Sequence, residues 1–325
     1  MSTNVFVDAA RSTAASGSFV YEGQRAVHEY LQFHFGRPSE ILPYDCGPKE
    51  ALGFPKRCAD LCVEAVITSE ASRLADGQQN TDGGGQELEA GKSLKRPFRA
   101  MDVGCAVGGI AFELTRSFDE VVGVDFSASF VEAAERMRVE GRIEYEYLEQ
   151  GSAVFRREAA LPEGTQPSRA SFAQGDACSL DVETLGSFDA VLASNLLCRL
   201  PKPRSFIKDL PALVKPGGVA VLISPYSWLE EYTPTSEWLG GFREGEGGDD
   251  QGGEFVDSFE RVRCYKQFSC ASSGRTLCDL TMRFIPYDSL CASSARTLCN
   301  LTMRVCDVAG DHVAVPGRQL TIETD

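Results

Sequence analysis

The sequence predicts an α/β protein: a doubly wound, mostly parallel sheet with a helical cap before it and an irregular tail after it. Three observations predict this. From residue 96 onward, apolar strand-like runs alternate with helical patterns; a glycine-bearing loop follows the first run; and aspartates close the next two. With 325 residues, 43% of them hydrophobic, the chain can bury one sizeable core plus appended segments rather than two full-sized enzyme domains.

Residues 1–19 are rich in Ala, Ser and Thr and are expected to be disordered. A cap spans 20–74. In it YEGQRAVHEYLQFHFG places Val27, Tyr30, Leu31 and Phe35 at helical spacing, and Gly36 stops the helix. Pro48 stands where a first-turn proline would, and the helix of EALGFPKRCADLCVEAVITSEA is expected to bend at Pro55. Residues 75–95 have the Gly, Gln and Asp content of a flexible surface insertion.

The core, 96–245, runs FRAMDV then GIAFELTRSF, EVVGVD then SASFVEAAERMRVEG, SFAQGD, FDAVLASN then PRSFIKDLPALV, and GVAVLISP. Residues 142–169 interrupt that rhythm as a charged extension with a loop at LPEGTQPSR. In the tail, 246–325, CASSGRTLCDLTMR from Cys270 recurs as CASSARTLCNLTMR from Cys291, differing only at Gly274/Ala295 and Asp279/Asn300. Two copies fall short of the three or more units a solenoid needs.

A formal net charge of −15 argues against binding that depends on neutralising phosphates, and favours a small-molecule substrate over nucleic acid. Lys92, Lys95, Arg96 and Arg99 read as a solvated approach to the first strand. The N-terminus lacks the apolar core of a signal peptide and no apolar run is long enough for a bilayer, so the expectation is a soluble, cytoplasmic protein with reduced thiols. Among the twelve cysteines, Cys58 and Cys62 lie four apart on a helix without a second pair or a nearby His, and read as packing residues rather than metal ligands.

The loop after the first core strand, DVGCAVGG (102–109), occupies the place where a parallel sheet meets its ligand. A dinucleotide site asks for G-x-G-x-x-G against a pyrophosphate. Here Gly104, Ala106, Gly108 and Gly109 give G-x-A-x-G-G, and Asp102, which would repel a pyrophosphate, suits a cofactor carrying positive charge. The loop resembles motif I of the class I methyltransferases, whose glycines let the backbone approach the methionine part of S-adenosylmethionine; Ala106 departs from the usual Gly. That resemblance implies a Rossmann-like fold and assigns Asp125 to the ribose hydroxyls, Asp176 to the adenine amine with Ala177 beside the ring, and Ser194 and Asn195 to the mouth of the fourth strand near the transferring methyl. KPGG at 215–218 is similar to the family's turn into the fifth strand. Taken singly, Asp125 and Asp176 also read as strand-end caps.

Three further segments, ILPYDCGPKEALGFPKRCADLC, SNLLCRLPKP and LISPYSWLEEYTPTSEWLGGF, resemble the methyltransferase module of ovothiol biosynthesis, a mercaptohistidine N-methyltransferase, over about Tyr21 to Phe242. The resemblance implies methyl transfer to an imidazole nitrogen of a thiol-bearing histidine, and a functional link to a sulfoxide synthase. The synthase's iron-ligand histidines are missing, since the three histidines are His28, His34 and His312. Expected substrate contacts are Tyr44, Asp45 and Lys49 from the cap, with Tyr226 and Trp228 after the fifth strand; Asn195 and Arg199 are the catalytic candidates. The plainer alternatives are that Lys49 and Arg57 are solvated helix charges and that Tyr226 and Trp228 are packing aromatics. Methylation of another small metabolite, and a non-catalytic cofactor-binding protein, stay open beside the leading reading.

Overall fold

Gly36 and Pro55 punctuate the chain before the sheet begins. The computed structural model describes residues 18–43, 49–78, 97–244, 254–256, 281–286 and 300–301. A 3-10 turn over Ser18–Glu22 starts two residues inside the segment expected to lack structure. Helix α1 (Gln24–Phe35) ends at Gly36, whose N–H donates to the Gln32 carbonyl, and a short α2 (Pro38–Ile41) follows. Helix α3 (Phe54–Gln78) starts next to Pro55 rather than bending there, because a first-turn proline lacks only an N–H that would have no helical partner anyway. α3 also carries the first residues of the expected insertion; Pro48 and the rest of that insertion lie outside the described residues.

The sheet contains β1 (Arg99–Val103), β2 (Glu120–Asp125), β5 (Ala170–Gln174), β6 (Phe188–Ser194) and β7 (Val214–Ser224) in the spatial order β7-β6-β1-β2-β5, all parallel. These strands read as nearly unbroken apolar runs because both faces are covered. α3, α4 (Gly109–Leu114) and α5 (Ala128–Glu140) contribute to one apolar cluster with Ala100, Val121, Leu192, Val219 and Val221. α6 (Val182–Leu185) and α7 (Pro203–Leu213) contribute to the other, with Met101, Val122, Val191 and Ala220. Cys58 and Cys62 are fully buried in the first cluster. Ser69 of α3 donates to the Gly217 carbonyl at 2.9 Å, which ties the cap to the KPGG turn. Of the basic cluster, Arg99 is partly exposed, pairing with Glu120 at 2.8 Å and lying over the Phe188 ring; the other three lie outside the described residues.

The charged extension is a β-hairpin, β3 (Arg142–Gln150) against β4 (Ala153–Ala160), turning at Gly151 with φ of 56°. Ile143 and Tyr145 anchor it in the first cluster. Beyond Phe242 a short pair forms, β8 (Phe242–Glu244) with β9 (Glu254–Val256). The tail, expected to be irregular, supplies two strands: β10 (Thr281–Pro286) lies parallel to β7, and β11 (Asn300–Leu301) lies antiparallel to β10. Each belongs in part to one copy of the duplicated segment, and together they extend the sheet to seven strands. Among the described residues no helix is long and apolar enough to cross a membrane.

Candidate functional site

The carboxyl ends of β1, β2, β5 and β6 open into a cleft of about 960 Å³, part of it open to solvent, which α1 and the start of α3 cover from the cap side. The β1–α4 loop forms its floor. Gly104, Ala106 and Gly108 all take left-handed backbone, with φ of 77°, 48° and 87°. That conformation costs a residue with a Cβ roughly 1–2 kcal/mol, so Ala106 is a strained member of an otherwise glycine-built turn. The N–H groups of Gly104 and Cys105 both bond the Val124 carbonyl, fixing the loop to β2.

Asp125 ends β2 with its carboxylate clasped from two sides. Oδ2 accepts the Ala106 N–H at 2.8 Å and Oδ1 the Ser127 N–H at 2.9 Å. Burial pushes its pKa up to about 6, against the pull of those two N–H groups. Asp176 is buried after β5 with Oδ1 accepting the Cys178 N–H at 2.8 Å, and Ala177 lies beside it on the cleft wall. Across the cleft, Ser194 lies 3.9 Å from the Cys58 thiol of α3. Asn195 adopts left-handed backbone with φ of 56°, and its Oδ1 is buried without a hydrogen-bond partner. A buried amide oxygen left unpaired is destabilising, and the Asn195 side chain borders the cleft, so a ligand donor would satisfy it. Arg199 lies at the rim, bonded to the Ser227 carbonyl at 3.0 Å, with its guanidinium 4.9 Å over the Tyr232 ring. Tyr232 in turn stacks on Tyr21 from the cap at 6.3 Å. Burial pushes the Tyr21 hydroxyl upward, and its bond with Tyr232 adds to that.

Of the sequence-predicted residues, the structure brings Gly104, Ala106, Asp125, Asp176, Ala177, Ser194, Asn195 and Arg199 to the cleft. It does not bring Asp102, Gly108, Lys49, Tyr226 or Trp228 there. Asp102 shares the strand face of Ala100, toward α3 and α4, because successive side chains of a strand alternate. Its charge is felt by Cys58 and Cys62, and neither of its oxygens meets a donor in hydrogen-bonding geometry. Burial first, then the charge of Asp125, raises its pKa to about 7, with the Ala111 N–H acting the other way. Gly108 packs behind the loop, where a Cβ would come within 2.8 Å of the Phe172 ring. Trp228 is buried in the second apolar cluster and stacks on Trp238 at 6.4 Å; Tyr226 packs against the same cluster. Lys49 is exposed. Arg57 is a half-buried clamp on the Ala51 and Leu52 carbonyls rather than a solvated charge. Tyr44 and Asp45 lie outside the described residues.

Sequence reasoning gave the cap a part in the site but missed the residues that line the cleft from it: Tyr21, Tyr30, Phe33, His34 and Phe54. The available signal was Tyr30 and His34 four apart on α1, two aromatic bodies with polar tips on one helix face. His34 accepts the Gly109 N–H through Nδ1 at 3.0 Å, and burial lowers its pKa to about 4, so it is neutral near pH 7.

Residues 101–222 match the family described as a methyltransferase domain. The chain is 26% identical over 148 residues to the sterol 24-C-methyltransferase of Candida albicans, covering 45% of this chain and 32% of that one. It is 26% identical over 120 residues to the ubiquinone biosynthesis O-methyltransferase of Xanthomonas axonopodis pv. citri, covering 37% and 40%. The chain thus spans between a third and two fifths of the length of these relatives. Similar solved structures include the YcgJ protein of Bacillus subtilis, at 21% identity, TM-score 0.28 and coverage of 38% and 42%. Another is phosphoethanolamine N-methyltransferase 2 of Haemonchus contortus in complex with S-adenosyl-L-methionine, at 24% identity, TM-score 0.28 and coverage of 38% and 24%.

The fold is the Rossmann-like one of the class I methyltransferases, and the cofactor is S-adenosylmethionine. The residues present fit it. Asp125 presents a carboxylate to the cleft at the end of β2, Asp176 and Ala177 wall the neighbouring end, and the glycine turn admits close approach. The first free N–H of α4, where a pyrophosphate would bind in a dinucleotide site, is taken by His34.

Proposed function

We propose that the chain is an S-adenosylmethionine-dependent methyltransferase that methylates an imidazole nitrogen of a thiol-bearing histidine. The observation that supports this reading is that the three segments resembling the mercaptohistidine methyltransferases contact one another beside the cleft residues Ser194, Arg199 and Leu200. Cys58 meets Ser194, Arg199 bonds Ser227, and Thr233 donates to the Leu200 carbonyl at 2.7 Å.

S-adenosylmethionine supplies a methyl carbon that is already electrophilic, so positioning can do most of the work; orientation alone is worth roughly 7–11 kcal/mol in favourable cases. Asp125 and Asp176 hold the adenosine end. Asn195 Oδ1 accepts the N–H of the acceptor ring and thereby turns its other nitrogen, which carries a free lone pair near neutral pH, into the cleft. Arg199 at the rim matches the acceptor's α-carboxylate. Tyr21, Tyr30 and Phe54 form an apolar wall that excludes water. This same wall favours a second reading, a flat apolar acceptor, in keeping with the names of the sterol and ubiquinone-biosynthesis relatives.

Incubation of the folded protein with labelled S-adenosylmethionine and 5-thiohistidine tests both readings. Label on an imidazole nitrogen is expected. Label on sulfur alone, or none from protein that binds the cofactor by calorimetry, overturns the substrate assignment.

A further inference from the structure

His34 stands on the cleft wall with one ring nitrogen spent. Its Nδ1 accepts the Gly109 N–H at 3.0 Å, so in the neutral ring the proton resides on Nε2. The imidazole is packed tightly on Gly109: a Cβ there would collide with His34 Cβ and Cγ, each 2.7 Å away. The second glycine of the GG pair is therefore required by the close approach of the histidine. Burial, with no neighbouring charge contributing, keeps the ring neutral. The result is a rigid, uncharged N–H donor built into a cleft it shares with Gly104, Ala106 and Ile110.

We propose that His34 is a cofactor-binding residue whose Nε2–H donates to the carboxylate of the methionine part of S-adenosylmethionine. This rests on the cofactor assignment and deepens it. Asp125 and Asp176 take the adenosine end, and His34 lies on the glycine-loop side with Gly104 and Ala106, where the anionic acceptor of the cofactor is its carboxylate. A neutral donor holds that carboxylate without adding a cation beside the sulfonium, and fixing the tautomer aims the bond.

The probes are S-adenosylhomocysteine and its decarboxylated analogue, titrated by calorimetry. Wild-type protein is expected to prefer the carboxylate-bearing ligand by about ten- to a hundredfold, the range for a hydrogen bond to a charged group. His34→Phe is expected to lose that preference while holding the decarboxylated analogue within about twofold. Equal weakening of both ligands, or an unchanged preference, overturns the proposal; binding of neither by folded wild-type protein overturns the cofactor assignment with it. Nitrogen NMR of the wild-type imidazole gives a reading that does not depend on the variant folding. Between pH 5.5 and 8, Nε2 is expected to carry the proton, with a signal that moves on adding S-adenosylhomocysteine and not its analogue. A proton on Nδ1, or a charged ring, overturns the assignment.

Discussion

Asp102 is fully buried on the face of β1 toward α3 and α4, with a pKa raised from 3.8 to about 7 against the pull of the Ala111 N–H, and its replacement by Asn has a calculable signature. In the unfolded chain the carboxyl ionises near its ordinary value, whereas the folded chain keeps the proton up to about pH 7. The native state therefore binds more protons than the unfolded state across that window, and stability falls as pH rises through it. Each pK unit is about 1.36 kcal/mol, so the full effect approaches about 4 kcal/mol, and the part lost between pH 5 and pH 8 is about 3 kcal/mol. Asp102→Asn removes the ionisation and keeps the shape. Urea unfolding of wild type and variant at pH 5 and pH 8 measures it: the variant should gain about 3 kcal/mol on the wild type between the two pH values, with similar slopes. A stability difference that does not change with pH would refute the reasoning, because the carboxyl would then ionise at the same pH folded and unfolded.

Asp125→Ala should weaken S-adenosylmethionine with little loss of fold, read by calorimetry beside circular dichroism. Because ribose hydroxyls donate to the ionised carboxylate, wild-type affinity should fall below pH 6, approaching tenfold per pH unit, and that slope should vanish in the variant. Arg199→Ala should raise KM for a carboxylate-bearing acceptor by about tenfold or more while leaving its decarboxylated counterpart little changed, in steady-state assays.

The parallel core was legible because strands covered on both faces are written as apolar runs, and because function-bearing loops follow their carboxyl ends. Asp125, Asp176 and Asn195 were readable for that reason. The hairpin was harder. Ile143, Tyr145 and Tyr147 do alternate with Glu144 and Glu146, but the high charge of both strands masked the period of two. Asp102 was misplaced because its position next to the loop in sequence says nothing about the strand face it occupies; counting alternation from Ala100 would have put it toward α3 and α4. Trp228 shows the opposite difficulty: a lone aromatic after a strand reads the same whether it packs or binds, and its partner Trp238 lies ten residues on. The roles of Tyr21 and His34 depend on how the cap folds back over the sheet, which no local pattern encodes.

The clasp on Asp125 has a consequence for how the site behaves before anything binds. One carboxylate receives an amide from the β1–α4 loop and another from the start of α5, so it works as a rivet between two connections that would otherwise move independently. The clasp holds both walls of the cleft in one fixed relation, so the site is shaped by the protein's own backbone amides. The arrangement also makes the acid doubly vulnerable: a substitution there removes a ligand contact and lets two walls drift apart at once.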